Sequence, residues 1–183
     1  MLQAAGVPIV VDAAAIDEIE VKASLRAAQA PAATIAETLA ELKAQRVSRR
    51  HPGKLVVGAD QVLQCGTAIF DKPADLSEAR RQLLALRGRR HELLSAAVLV
   101  VDGRRLWHHV GRAELQMRQF SDRFVDDYLQ SAGEIALSSV GAYQIEGVGA
   151  QLFARIDGDY FTVLGLPLLP LLHILREHGV LRS

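Results

Sequence analysis

The apolar positions of this chain follow two different periods. From Ala32 onward, Ile35, Leu39, Leu42 and Val47 recur at the spacing of one helix face, with Pro31 suited to the first turn and His51-Pro52-Gly53 placed to stop the helix. Lys43 lies beside Leu42 and four positions after Leu39, at the margin of that stripe and not on its fully solvated face. Asp75 followed by Glu78 resembles a capping box, and Ala79, Leu83 and Leu86 carry a second helix to a stop at Gly88. Ser121 or Asp122 suits the cap of a third helix through Phe124, Val125, Tyr128 and Leu129. A last helix is predicted from Leu168 to His178, ended by Gly179.

Between these lie segments that read as strands. Val7 to Val11 predicts a buried strand, followed by an acidic patch of Asp12, Asp17, Glu18 and Glu20. Leu93 to Val101 and Leu106 to Met117 flank Asp102-Gly103, a dipeptide that favours a tight hairpin turn. Ala113, Leu115 and Met117 alternate with Glu114, Gln116 and Arg118, as in a half-buried antiparallel strand. Shorter strands are expected around Ala142 to Ile145 and Leu152 to Ile156. Helices and strands alternate early and a hairpin dominates the middle, which predicts an α/β fold: one domain over residues 1–183, with a mixed, twisted sheet flanked by helices and no dividing linker.

Composition narrows the function. An apolar share of 50% with 23% charged residues excludes a disordered chain, and 21 basic residues against 21 acidic ones leave no global field to attract nucleic acid or an anionic membrane. Cys65 is the only cysteine, so no internal disulfide forms and a reducing compartment fits. Met1 to Ile9 lacks the charged-then-apolar layout of a signal peptide. The longest apolar run, Val163 to Ile174, is interrupted by Gly165, Pro167, Pro170 and His173 and is shorter than the roughly 20 residues that cross a bilayer. These features predict a cytoplasmic protein with neither a membrane nor a nucleic acid as partner.

Candidate chemistry begins at Leu55-Val56-Val57-Gly58-Ala59-Asp60-Gln61, where an apolar strand and a glycine deliver a carboxylate to a sheet edge. Alone, Asp60 reads better as the start of a turn, and only the other motifs change that weighing. Glu18, Asp60, Asp157 and Asp159, with Lys43 and Lys72, form an inventory suited to metal-assisted attack of water on phosphate. A hard cation takes oxygen ligands, a carboxylate takes the proton of water, and lysines neutralise the phosphates. Each also has a plainer reading: Glu18 as a solvated surface charge, Lys43 as a snorkelling side chain, Lys72 as a loop charge, and Asp157-Gly158-Asp159 as a turn. Neighbouring His108 and His109 point to opposite faces of a strand and do not share an ion. Cys65 reads as a small apolar filler, and Arg80-Arg81 with Arg87 to Arg90 as a solvated helix end. The phosphate loop of Walker-type ATPases, the dinucleotide fingerprint and the serine-hydrolase elbow are all missing.

Val57-Gly58-Ala59-Asp60-Gln61-Val62, Asp71-Lys72-Pro73, Leu86-Arg87-Gly88-Arg89-Arg90-His91, Gly141-Ala142-Tyr143-Gln144-Ile145-Glu146-Gly147, and Gly158-Asp159-Tyr160 through Gly165-Leu166-Pro167-Leu168 occur in one order along the chain. Together they resemble the Maf family. That resemblance implies a nucleoside triphosphate pyrophosphatase that removes unwanted nucleotides and is linked to septum formation. It also implies an elongated fold like that of the Maf and ITPase proteins with a central cleft, a divalent metal (Mg2+ or Mn2+) and a homodimer. By the same resemblance Asp60 is the proton acceptor, Glu18 and Asp60 hold the metal, and Lys43 and Lys72 contact the phosphates.

Gln61 and Glu146 occupy positions that bear on the choice of base, and they match the 7-methyl-GTP subgroup and not the dTTP and UTP subgroup. A carboxylate at Glu146 could pair with the positive charge of 7-methylguanine; equally, Glu146 could be a surface or lid residue. Family members open with a strand and a Ser-x-Ser-Pro-Arg-Arg loop that cradles phosphate, whereas this chain opens Met1-Leu2-Gln3-Ala4-Ala5-Gly6. The expectation is therefore a chain lacking that loop and impaired in catalysis, with a dTTP- or UTP-type pyrophosphatase as the alternative substrate reading and a non-catalytic, nucleotide-responsive regulator of cell division as the rival function.

Overall fold

The computed structural model describes Met1 to Arg182. In chain order its elements are helices α1 (Glu18–Ala27) and α2 (Ala32–Ser48), strands β1 (Val56–Cys65) and β2 (Ala68–Phe70), helix α3 (Leu76–Leu86), strands β3 (Arg90–Val101) and β4 (Arg104–Met117), helix α4 (Asp122–Ala132), strand β5 (Phe153–Asp157), and helices α5 (Tyr160–Val163) and α6 (Leu168–Glu177). Short 3-10 segments fill the stretch between α4 and β5. The fold is α/β, with one five-stranded sheet in the order β2-β1-β3-β4-β5. The pairings of β1 with β2 and of β4 with β5 run antiparallel. Among the described residues no helix is long and apolar enough to cross a membrane.

The chain forms two compact units, the first from Met1–Gln61, Leu94–Gly111 and Asp159–Ser183, the second from Val62–Leu93 and Arg112–Gly158. In the first, Val7, Ala97, Leu99, Leu166, Leu168, Leu171 and Leu175 form a core against which Val57, Ala59 and Trp107 pack. The buried face of α2 is made of Ala32, Ile35, Ala36, Leu39, Ala40 and Ala44, whereas Leu42 and Val47 are only half-buried. The apolar stripe is thus rotated toward small side chains, and the reason lies in β1. A Cβ at Gly58 would fall 2.1 Å from the Ala40 carbonyl oxygen and 2.8 Å from the Ala44 Cβ. Alanines on one side and glycine on the other let helix and strand backbones approach closely. Arg105 of β4 clamps the solvent side of α2, with Nη1 donating to Glu37 at 2.7 Å and to Glu41 at 2.8 Å.

The hairpin between β3 and β4 turns through Asp102 (φ 49°) and Gly103 (φ 76°), the two positive dihedrals that the Asp-Gly sequence predicts. Asp75 accepts from the Glu78 N–H at 2.7 Å and Glu78 Oε2 accepts from the Ala74 N–H at 2.8 Å, so the predicted start of α3 is capped from both directions. Ser121 caps α4 through the Phe124 N–H.

Three expectations fail for identifiable reasons. Val7 to Val11 is not a strand: Val7 is buried and Ile9 packs on the core, but Val10 and Val11 stand 92% and 78% exposed, so burial of alternate side chains seats the segment without a ladder. Ala142 to Ile145 is not a strand either, because Gly141 and Ala142 adopt φ of 78° and 62° and turn the chain out of the β region. The stretch from Glu18 to Ala27, where no separate helix is expected, becomes α1, capped by Asp17, whose carboxylate accepts from the Glu20 N–H, while the acidic Asp12, Asp17 and Glu20 stay exposed as expected.

In the second unit buried His91 and Tyr143 form an aromatic cluster with half-buried Phe153, with His91 Nε2 2.9 Å from Tyr143 Oη. Tyr128 Oη donates to the Ala142 carbonyl at 3.0 Å and anchors the irregular stretch. Burial drives the His91 pKa down from 6.5 to about 4.

Two predictions follow from this packing. Gly58→Ala forces α2 off β1 and is expected to lower stability by about 1–3 kcal/mol, read as the shift in urea midpoint. His91 stays neutral in the fold while the unfolded chain takes up its proton below pH 6.5, so its contribution is intact above that pH and is lost as pH falls toward about 4. Urea unfolding is expected to show a loss of about 2–3 kcal/mol across that window, and His91→Phe should remove that part of the slope.

Candidate active site

Alternation along β1 puts Gly58 and Asp60 on the face toward α2 and Gln61 on the opposite face. Because Gly58 lets Ala40 and Ala44 close on the strand, the intervening Lys43 is delivered alongside Asp60. Its Nζ lies 2.6 Å from Asp60 Oδ1 and 2.8 Å from Glu18 Oε1. The side chains are 8% exposed for Asp60, 22% for Lys43 and 40% for Glu18, so the triad grades from the strand outward to solvent. One ammonium group, from α2, therefore joins two carboxylates, one at the start of α1 and one from β1.

Burial raises the Asp60 pKa above the usual carboxylate value; the hydrogen bond and charge of Lys43, with the charge of Lys22, pull it back without cancelling the shift, and Glu18 adds to it. For Lys43 burial acts downward, but the hydrogen bonds to Asp60 and Glu18 outweigh it and the net shift is upward. Lys43 accordingly stays charged, and Asp60 holds a proton more readily than a free aspartate, as suits a proton acceptor.

The second oxygen, Asp60 Oδ2, is buried without a hydrogen-bond partner. A buried carboxylate oxygen with an unused lone pair is costly unless something else meets it. Among the described residues no group of three or more His, Cys, Asp or Glu stands ready to hold a metal by protein ligands alone. The oxygen donors of Asp60 and Glu18 nonetheless fit a hard divalent cation of the kind that takes one or two carboxylates and completes its shell with substrate phosphate and water.

Gln61 is engaged on the other face. Its Nε2 donates to Ser95 Oγ (2.9 Å) and to the carbonyls of Val163 (3.1 Å) and Thr162 (3.2 Å), while Ser95 Oγ donates to the Thr162 carbonyl at 2.7 Å. Asp159 caps α5, accepting from the Thr162 N–H and hydroxyl. The turn reading of Asp157-Gly158-Asp159 thus describes Asp159, and Asp157 pairs with Arg155. Lys72 is exposed in the loop after β2, and Glu146 is exposed in the turn before the 3-10 segment Val148–Leu152; both belong to the second unit. His108 bonds Glu37 and His109 stacks on Trp107, consistent with opposite faces. Cys65 is buried, and burial raises its thiol pKa.

Sequence reasoning missed two parts of this site. Helix α1 carries Glu18 and Lys22 one turn apart, and the Asp17-to-Glu20 capping spacing was the available signal. The Ser95 and Thr162 contacts of Gln61 had none, since they join residues distant in the chain.

The chain as a whole is similar to known proteins. The chain is 59% identical over 99% of its length to a protein of Paramagnetospirillum magneticum named nucleoside triphosphate pyrophosphatase, covering 93% of that relative. It is 51% identical over 100% of its length to one of the same name from Rhodospirillum rubrum, covering 91% of it. A protein of Mesorhizobium japonicum named 7-methyl-GTP pyrophosphatase is 52% identical over 99% of the chain, which covers 91% of that relative. A family model described as Maf-like protein matches residues 1–178, and with these identities the chain belongs to the Maf-like protein family.

Proposed function

We propose that this chain is a nucleoside triphosphate pyrophosphatase, with 7-methyl-GTP or a similarly modified purine nucleotide as its substrate. The observation that carries the reading is the Lys43 ammonium group held 2.6 Å from a buried Asp60 whose other oxygen has no partner. Family membership and the names of relatives at 51–59% identity support it.

Water attacks the α-phosphorus, the bond to the bridging oxygen breaks, and pyrophosphate leaves with that oxygen while the nucleoside monophosphate keeps the new one. Asp60 takes the proton of the attacking water. Its raised pKa brings it closer to the working pH as an acceptor. Lys43 turns from Asp60 Oδ1 to a phosphate oxygen, which frees that carboxylate as it neutralises the substrate. Glu18 and Asp60 would hold a divalent cation, which supplies charge neutralisation and polarisation of the phosphoryl oxygens. The family resemblance carries Lys72 to the phosphates and Glu146 to the base. Gln61, tied to Ser95, Thr162 and Val163, contributes by fixing the C-terminal end of α5.

Pyrophosphate release measured with magnesium or manganese tests this reading. Asp60→Asn is isosteric and is expected to lower turnover by about 10²–10⁴-fold with an unchanged melting temperature. A folded wild-type chain without turnover on 7-methyl-GTP, GTP, dTTP, UTP or CTP would instead favour the nucleotide-responsive regulator. Glu146→Gln is expected to lower kcat/KM for 7-methyl-GTP by about tenfold or more through loss of a charge-assisted pair, and to leave dTTP nearly unchanged. Equal losses on both nucleotides would remove Glu146 from base recognition.

A further inference from the structure

Helix α1 buries no residue fully, yet it is a regular ten-residue helix. Its half-buried positions are Glu18, Val21, Lys22 and Leu25, while Ile19 is 83% exposed. These positions follow the i, i+3, i+4, i+7 spacing of a single face. The face that α1 turns inward is therefore half charged, and its large aliphatic residue Ile19 points away from it. Packing an apolar core does not account for such a helix. What ties the inward face to the candidate site is Glu18, whose carboxylate lies 2.8 Å from Lys43 Nζ.

Lys22 stands one turn after Glu18 on this face, at the roughly 5–6 Å Cβ separation of such pairs. It thereby lies on the same inward face as Glu18, the residue that reaches Lys43, and its charge contributes to pulling the Asp60 pKa down against burial. Counting formal charges, Asp60 and Glu18 contribute two negative and Lys43 and Lys22 two positive ones. A polyphosphate meeting this cluster is repelled by the carboxylates and attracted by the lysines. With the carboxylates committed to a cation and to the proton of water, the two lysines are the groups of this cluster whose charge suits an anion.

We infer that Lys22 is a phosphate-binding residue of this site, presented by α1 to a non-bridging oxygen of the triphosphate chain. The inference rests on the pyrophosphatase reading for its substrate and extends it to a residue on α1. The plain alternative is that Lys22 serves only as a helix partner of Glu18, worth a little helix stability and nothing to ligand binding.

The test uses the full chain and inorganic triphosphate with magnesium as a probe that has no base, followed by calorimetric titration. Lys22→Gln is expected to weaken triphosphate binding by about tenfold or more, as for a lost charge-assisted contact, and Lys22→Arg to stay close to wild type. Because α1 has no fully buried residue, thermal melting of both variants should match wild type. The proposal is overturned if Lys22→Gln binds triphosphate as tightly as wild type, if Arg fails to rescue, or if the wild-type chain binds no triphosphate. The two claims separate cleanly: wild-type binding of triphosphate that depends on Lys22, without pyrophosphate release from any nucleotide, would uphold Lys22 and sink the pyrophosphatase reading.

Discussion

A Cβ at residue 58 would lie 2.1 Å from a backbone oxygen of α2, so the helix rests on β1 at a distance that only glycine permits. That single allowance sets the height of the helix above the strand. Ala40 and Ala44 meet the strand directly, and Lys43, next to Ala44, is lowered until its ammonium group reaches a carboxylate two residues further along β1. A larger residue at 58 or at 44 would separate the two elements and leave Asp60 buried without its counter-charge. A lone buried carboxylate costs several kcal/mol or gives up its charge by taking a proton. Packing and electrostatics at this site are therefore one constraint.

The same arrangement carries a standing cost. Replacing a buried ion pair by well-packed apolar residues is often neutral or stabilising, so stability does not explain why this one is present. Asp60 keeps a raised pKa despite a lysine at 2.6 Å, because burial outweighs the attraction. Its second oxygen meets no protein donor at all. A carboxylate whose pKa is raised by burial, with one oxygen paired to a lysine and the other unused, has the features of a functional group more than of a structural tie.

How much of this was legible in the sequence depends on the range of the interaction. Local signals read well: the Asp75 and Glu78 cap, the Asp102-Gly103 turn and the helical spacing from Ile35 to Leu39 each depend on residues a few positions apart. Lys43 could be placed at the stripe's edge, but the stripe itself was rotated, because Gly58 selects alanines where periodicity favoured Leu42 and Val47. Helix α1 escaped notice since apolar periodicity is the main helical signal and its inward face is half charged. The Val7 to Val11 segment showed the opposite error: β-rich composition invites a strand, and only the presence of a neighbouring strand could have made it one. The pairing of Lys43 with both Asp60 and Glu18 joins residues 17 and 25 positions apart, and nothing local announces it.

Adjacent residues 60 and 61 end up doing different jobs because a strand sends successive side chains to opposite faces. Asp60 is held from the α2 side, and Gln61 is held from the side of Ser95 and α5. An amide nitrogen has two N–H donors, and that of Gln61 already faces three acceptors at 2.9, 3.1 and 3.2 Å. Direct recognition of a nucleobase by Gln61 would have to use its carbonyl oxygen or break this clip. What Gln61 does in this structure is hold α5: the Thr162 and Val163 carbonyls are fixed by its amide, and Asp159 caps the same short helix. A side chain at 61 too short to reach these carbonyls would release α5, and with it the segment that leads through Gly165 into α6.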